Sequence, residues 1–170
     1  MISGLEKLTV LLVDDYEHMG AIIRPMLNSA GVGRTIFVNT GPQAMEALRQ
    51  NAIDIAIFDF NIGDLSGSEL TKSIRLAPDS PNPFLPIIML TAHSELRRIV
   101  EARDAGVNEF CRKPVTAAEL LSKISAVITR PRPFVRSPDY FGPDRRRKRS
   151  AHYDGPERRS GAAPSVVLPQ

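Results

Sequence analysis

Acidic, hydroxyl and basic side chains follow four of the five short apolar runs in this sequence. Asp14 and Asp15 follow the first run, Asp59 follows the third, Thr91 the fourth and Lys113 the fifth. If these runs are parallel strands, their carboxyl ends open onto one edge of a sheet, which is where such folds bind ligands. The sequence therefore predicts a cluster of three carboxylates, a hydroxyl group and an ammonium group.

Three crowded carboxylates favour a divalent cation. They repel one another and raise each other's pKa unless a cation lies among them, and Mg²⁺ takes a few protein oxygens while keeping some of its waters. A cation, a lysine and a threonine together can neutralise phosphoryl oxygens, and an aspartate can attack phosphorus to give an acyl phosphate. The chemistry that fits these residues is phosphoryl transfer onto Asp59 with Mg²⁺ as the cofactor.

The elements that must position these side chains alternate regularly over the first 129 residues. Strands are predicted at 8–13, 35–38, 53–58, 87–90 and 108–112, and helices at about 16–30, 41–50, 66–77, 94–105 and 116–128. A fivefold alternation of strand and helix is typical of a parallel sheet covered by helices on both faces. The predicted fold class is therefore α/β.

Composition narrows the possible chemistry and location. The chain has 170 residues, of which 42% are hydrophobic, and this is typical of a globular protein. Its apolar runs are much shorter than the roughly 20 residues of a membrane span, and its first residues lack a signal-peptide pattern, so a cytoplasmic location is expected. A single cysteine, Cys111, excludes an intramolecular disulfide and a Cys-based zinc site.

The charge of the chain divides at residue 130. Residues 1–129 carry 12 Lys and Arg against 15 Asp and Glu, whereas residues 130–170 carry 10 against 4. The second part also holds seven of the 14 prolines and only four Val, Leu and Ile residues, too few to offset chain entropy by burial. We expect a domain over 1–129 and a largely disordered, basic, Pro- and Arg-rich tail over 130–170.

The tail contains an internal repeat. The segment 140–146, YFGPDRR, recurs at 153–159 as YDGPERR, so a Gly-Pro-Asp/Glu-Arg-Arg element is present twice. Gly-Pro favours a turn, and the element is suited to docking on a protein. Binding of nucleic acid or anionic lipid through the basic residues 145–149 is an alternative, and so is a purely solubilising role.

The order and spacing of the motifs closely resemble the receiver domain of bacterial two-component response regulators, the CheY-like domain. The similarity covers about residues 7–129 and rests on Val13-Asp14-Asp15, Ile57-Phe58-Asp59-Phe60-Asn61 leading to Ser66-Gly67, Leu90-Thr91-Ala92, Ala105-Gly106 and Lys113-Pro114. The resemblance implies a single-domain regulator with a flavodoxin-like, doubly wound five-stranded parallel sheet, strand order 2-1-3-4-5, and five helices.

The resemblance also implies roles for the acidic side of the site. Asp59 corresponds to the phosphoacceptor, and Asp15 to a direct Mg²⁺ ligand. Asp14 corresponds to the ligand that acts through water, and the backbone carbonyl of Asn61 to a further ligand. Gly63 stands where the family usually has proline.

The resemblance also implies a conformational switch at the site. Thr91 corresponds to the hydroxyl that follows the phosphoryl group, and Lys113 to the ion-pair partner of that group. Phe110 corresponds to the aromatic residue whose rotamer changes with the active state, although it lacks the hydroxyl of the commoner tyrosine. The peptide bond between Lys113 and Pro114 is expected to be cis.

Taken as a member of this family, the protein is expected to be a phosphoacceptor in a two-component phosphorelay. A sensor histidine kinase or a histidine phosphotransfer protein would supply the phosphoryl group, and the output would be a protein–protein contact. The protein would catalyse only its own phosphorylation and dephosphorylation, and so would not be an enzyme. Two alternatives stay open: a nucleic-acid-binding regulator with the basic tail as its output, and an aspartyl-phosphate hydrolase with His93 as the candidate general base.

Overall fold

A five-stranded parallel sheet forms the centre of the protein. The computed structural model describes residues 4–92, 96–145 and 165–167. The central strands are β1 (Thr9–Val13), β2 (Arg34–Val38), β3 (Ile55–Asp59), β6 (Ile87–Thr91) and β7 (Glu109–Arg112). Their order across the sheet is β2-β1-β3-β6-β7, which is 2-1-3-4-5 when only the parallel strands are counted. The predicted flavodoxin-like α/β fold is confirmed.

Four helices connect these strands, and a fifth follows the last strand, β7. They are α1 (Glu17–Ser29), α2 (Gly41–Gln50), α3 (Gly67–Leu76), α4 (Leu96–Ala105) and α5 (Ala117–Thr129). Side-chain hydroxyl groups fix the start of three of them, because Thr40, Ser66 and Thr116 each accept a hydrogen bond from a backbone N–H in the first turn. At Ser66 a reciprocal bond from Glu69 completes a capping box, so α3 begins at a defined point close to the end of β3.

The hydrophobic core lies in two layers, one on each face of the sheet. Along β3, Ile55 and Ile57 lie in the layer that includes residues of α1 and α5, whereas Ala56 and Phe58 lie in the layer that includes residues of α2 and α3. Successive side chains of a strand point to opposite faces, so a strand covered on both sides must be apolar throughout. This explains why β3 has no polar residue before its last position, Asp59.

A small hairpin lies between β3 and α3. Its strands, β4 (Asn61–Ile62) and β5 (Leu65–Ser66), are antiparallel and joined by the two residues Gly63 and Asp64. Gly63 has a φ of 61°, a conformation that favours glycine and suits a two-residue hairpin turn. The alternation of long elements in the sequence did not reveal this hairpin, because each of its strands has only two residues.

A second hairpin follows α5, where the sequence predicted the start of a largely disordered tail. Strands β8 (Phe134–Ser137) and β9 (Tyr140–Pro143) are antiparallel, and β10 (Ser165–Val167) pairs with the other edge of β8. Phe134 and Phe141 are buried, and both rings lie 5.1 Å from the ring of Phe84. The prediction of disorder therefore does not hold for residues 134–143. That prediction rested on the number of aliphatic residues. It did not consider the aromatic rings of Phe134 and Phe141, which complete an apolar surface of the domain.

A buried arginine links this hairpin to the rest of the domain. Arg75, only 2% exposed, donates hydrogen bonds to the carbonyl oxygens of Gly106 and Pro83 and to the Oδ1 atom of Asn108 at 2.8–3.1 Å. The ring of Phe134 lies 5.0 Å from its guanidinium carbon. Because Asn108 directly precedes β7, the hairpin lies at the amino ends of the strands, opposite the edge where the acidic residues are found.

The second repeat copy, 153–159, the basic residues 146–149 and His93 lie outside the described residues, so their predicted roles stay predictions. Within the described ranges, none of the helices is long and apolar enough to cross a lipid bilayer.

Candidate functional site

The carboxyl ends of the parallel strands bring the acidic residues and the lysine together. Asp14 and Asp15 directly follow β1, Asp59 ends β3, and Lys113 follows β7. One carboxylate oxygen from each aspartate lies within 4.8 Å of the others. The Lys113 Nζ atom lies 2.7 Å from Asp59 Oδ1 and 3.8 Å from Asp14 Oδ2. Residues from three separate strand ends therefore form one cluster.

Asp14 is the most buried carboxylate of the cluster, with 1% of its surface exposed. Its Oδ1 atom accepts a hydrogen bond from the Tyr16 N–H at 2.8 Å, but its Oδ2 atom has no hydrogen-bond partner among the described residues. Burial raises the pKa of Asp14 above its ordinary value, and the negative charges of Asp59 and Asp15 add to this effect. The Tyr16 bond and the Lys113 charge oppose the rise only in part.

Asp15 differs from its neighbour because its side chain is exposed. Its Oδ2 atom accepts a hydrogen bond of 3.0 Å from the backbone N–H of Gly63, in the turn between β4 and β5. No sequence pattern indicated this contact, because the two residues are 48 positions apart.

Asp59 is 8% exposed and lies between the lysine and the start of α3. The Gly67 N–H donates to the Phe60 carbonyl oxygen at 2.7 Å, which holds the helix start against the chain that leaves β3. A Cβ atom on Gly67 would collide with the Asp59 carbonyl oxygen. The Ser-Gly pair of the sequence motif is thus explained locally: the serine caps the helix, and the glycine allows the backbone of Asp59 to approach.

Lys113 and Thr91 are connected through their backbones. The Lys113 N–H donates to the Thr91 carbonyl oxygen at 2.8 Å, and the peptide bond from Lys113 to Pro114 is cis. Thr91 is buried, with 7% of its surface exposed, and lies at the end of the strand next to β3. Phe110, in β7, is partly buried and packs against the core layer that contains Phe58.

The donor atoms of the acidic cluster fit Mg²⁺. All three side chains offer carboxylate oxygens, which are hard ligands of the kind that Mg²⁺ prefers over nitrogen or sulfur. Asp14 Oδ2, which has no hydrogen bond within the described structure, is a buried acceptor that a cation would satisfy directly or through a bound water. Burial is also the main cause of the raised pKa of Asp14, and the negative charges of Asp59 and Asp15 add to it.

One further contact near the cluster was missed by sequence reasoning. The guanidinium carbon of Arg98, in α4, lies 4.9 Å from the ring centre of Phe60, the residue after Asp59. The pattern of α4 indicated only an amphipathic helix, and a cation above an aromatic ring depends on how two distant elements pack.

The part of this chain that resembles known proteins is the parallel α/β domain. The sequence model of the family described as "Response regulator receiver domain" matches residues 10–125. The chemotaxis protein CheY-3 of Vibrio cholerae serotype O1 is 33% identical over 125 residues, which is 74% of this chain and 95% of the relative. The chemotaxis protein CheY of Pseudomonas aeruginosa is 33% identical over 121 residues, 71% of this chain and 96% of the relative.

Solved structures of similar proteins also superimpose on this domain. The chemotaxis protein CheY4 of Vibrio cholerae superimposes with a TM-score of 0.65 at 26% identity, covering 71% of this chain and 98% of the other. The receiver domain of the sensor histidine kinase PA1611 from Pseudomonas aeruginosa, solved with a magnesium ion coordinated in its active site cleft, gives a TM-score of 0.62 at 30% identity. That match covers 69% of this chain and 94% of the other. The β8–β9 hairpin lies beyond the residues that the family model matches.

Proposed function

Because this chain belongs to the family of response regulator receiver domains, we propose that it accepts a phosphoryl group on Asp59 in a two-component phosphorelay. The observation that carries the proposal is the position of Asp59, bonded to Lys113 at 2.7 Å beside the carboxylates of Asp14 and Asp15. A carboxylate held in this way is a nucleophile with positive charge already placed for the incoming phosphoryl oxygens.

The transfer reaction uses a phosphohistidine of a sensor histidine kinase or a histidine phosphotransfer protein as the donor. A carboxylate oxygen of Asp59 attacks phosphorus, the phosphorus–nitrogen bond breaks, and the electron pair leaves on the imidazole nitrogen, which takes up a proton. Lys113 is placed to form an ion pair with the transferred group, because its ammonium already contacts Asp59. The protein modifies only itself in this reaction and turns over no external substrate.

The acidic cluster would hold Mg²⁺ during transfer. Asp15 and Asp59 would bind it directly, Asp14 through a water, and the backbone carbonyl of Asn61 would complete the protein ligands. When bound, the ion supplies positive charge that neutralises the phosphoryl oxygens. The Asp14 oxygen that lacks a hydrogen bond in the described structure and the closeness of the three carboxylates support this part of the proposal.

Signalling would follow from a shift between two arrangements of the neighbouring strand ends. The Thr91 hydroxyl would move toward the phosphoryl group, and Phe110 would move inward by packing alone. The backbone hydrogen bond between Lys113 and Thr91 supports coupled movement, and Phe110 is only partly buried, so an inward movement would bury more of its ring. The output is then contact with a downstream protein, and the proposed location is the cytoplasm.

The test is intact-mass measurement after incubation with Mg²⁺ and a small acyl phosphate donor, with an EDTA control. Wild type should gain one phosphoryl group, and Asp59→Asn should gain none. Asp64→Asn changes an exposed carboxylate in the nearby turn and should be labelled like wild type.

Two results would contradict the proposal. Labelling of Asp59→Asn at the wild-type level would place the phosphoryl group elsewhere. Failure of wild type to accept a phosphoryl group from both the small donor and a phosphohistidine protein would exclude a phosphoacceptor role.

A further inference from the structure

The turn of the β4–β5 hairpin contacts the acidic cluster through one backbone hydrogen bond. The Gly63 N–H donates to Asp15 Oδ2 at 3.0 Å. We propose that Gly63 is a positioning residue for the metal site: its N–H holds the Asp15 carboxylate among the other two, ready to bind Mg²⁺. This inference rests on the proposed function, because it assumes that Mg²⁺ binds at this cluster.

Asp15 needs such a contact more than its neighbours do. Asp14 is buried and bonded to the Tyr16 N–H, and Asp59 is nearly buried and paired with Lys113. Asp15 is exposed, and the Gly63 bond is the hydrogen bond that the described structure gives to its carboxylate. An exposed side chain that is ordered only when it binds a ligand loses rotamer freedom at that moment, which weakens binding.

The bond leaves Asp15 able to bind a metal. An ionised carboxylate has two oxygens with about four acceptor positions, so one N–H donor does not use up its capacity. The contact therefore orients the ligand without blocking it.

The backbone conformation explains why glycine occupies this position. Gly63 has a φ of 61°, and a Cβ atom there would meet nothing within 4 Å, so space is not the constraint. Asparagine tolerates this conformation and keeps the N–H, whereas proline has no N–H and fixes φ near −65°. A proline at this position could therefore not form the contact to Asp15.

The first experiment compares Mg²⁺ affinity in the full chain by isothermal titration calorimetry. Gly63→Pro should weaken binding about tenfold, as expected from the loss of one hydrogen bond to a charged group. Gly63→Asn, which keeps the donor, should stay within about twofold of wild type. Equal affinities for wild type and both variants would overturn the inference while leaving the proposed function intact. A wild type that binds no Mg²⁺ would instead reject the metal site itself.

The second experiment does not depend on whether the proline variant folds. Hydrogen exchange of the Gly63 amide in the wild-type protein, followed by NMR, should be slow both in EDTA and in saturating Mg²⁺. Asp15→Ala should make this amide exchange quickly. If Mg²⁺ removed the protection in wild type, the N–H would be a competitor of the ion and not a positioning group, and the inference would be wrong.

Discussion

The buried carboxylate of Asp14 destabilises the folded protein. Its carboxylate is buried, one of its oxygens has no hydrogen-bond partner in the described structure, and two other carboxylates lie beside it. A buried charge with incomplete compensation destabilises the folded state. The same features make the residue suitable for the proposed cation site.

Replacement of Asp14 by an uncharged group of the same shape should therefore stabilise the metal-free protein. We expect Asp14→Asn to raise the free energy of unfolding by about 1–2 kcal/mol at neutral pH in EDTA, because the Tyr16 bond is kept and the buried charge is removed. Urea denaturation followed by circular dichroism measures the change. Asp64→Asn, at an exposed position, should change it by less than about 0.5 kcal/mol. A less stable Asp14→Asn protein would contradict this account.

The same residue gives a pH dependence with a defined sign. The pKa of Asp14 is raised in the folded state, so at intermediate pH the folded protein binds a proton that the unfolded chain does not. Its destabilising effect is present at neutral pH and disappears as the pH falls through the raised pKa toward the ordinary value of 3.8. The stability difference between Asp14→Asn and wild type should shrink over that range, as urea denaturation at several pH values would show. A difference that grew as the pH fell would be inconsistent with a raised pKa.

At the scale of elements, α3 connects the two ends of the molecule. It begins at Gly67, against the backbone of Asp59, and its last turn carries Arg75, which contacts the C-terminal hairpin. Burial lowers the pKa of the Arg75 guanidinium, and three carbonyl-type oxygens together with the Phe134 ring compensate for the loss of water. One end of the helix therefore lies at the acidic cluster, and the other end holds the hairpin in place.

Loss of Arg75 should destabilise the protein strongly. Arg75→Met removes donors from the carbonyl oxygens of Gly106 and Pro83 and leaves them buried, and we expect a cost of about 2–4 kcal/mol in unfolding free energy. Lys72→Ala, an exposed position on the same helix, is the matched control and should cost less than about 0.5 kcal/mol. Chemical denaturation of both variants provides the measurement. If Arg75→Met and Lys72→Ala were equally stable, the hydrogen bonds of Arg75 would make no net contribution to the free energy of unfolding.

At the scale of the whole molecule, the folded unit extends past the region shared with other receiver domains. The family match ends at residue 125, yet Phe134 and Phe141 pack with Phe84 at the amino ends of the strands. Phe84 lies in the long loop between α3 and β6, and the hairpin gives its ring an apolar partner. The acidic cluster, at the opposite ends of the strands, is left uncovered by this hairpin.

Two truncated chains can distinguish the contribution of the β8–β9 hairpin to stability from that of the rest of the tail. A chain ending at Thr129 loses β8 and β9 and should be about 3–6 kcal/mol less stable, the contribution of two buried phenylalanine side chains. A chain ending at Arg145 keeps both strands and should stay within about 1 kcal/mol of full length, because β10, which is short and largely exposed, is the one strand among the described residues that it loses. Urea denaturation of the three proteins tests this. Equal stability of both truncated chains would show that the hairpin is not part of the cooperative fold.

The sequence by itself determined the parallel α/β body and the residues of the acidic cluster. Strands buried on both faces must be continuous apolar runs, and a polar residue that directly follows such a run has to lie at the carboxyl edge of the sheet. Asp14, Asp15, Asp59, Thr91 and Lys113 could therefore be placed from local pattern and topology alone.

Only the tertiary structure decided the contacts between residues far apart in the chain. The Gly63–Asp15 bond, the Arg75 network and the packing of Phe134 and Phe141 on Phe84 each join segments that have no local pattern in common. From its composition, the tail was predicted to contain too few aliphatic residues to fold. The rings of Phe134 and Phe141 are nevertheless buried, because they pack on an apolar surface that the domain already forms. The energy of such contacts depends on the shape and burial of both partners, and a single segment of sequence specifies only one of them.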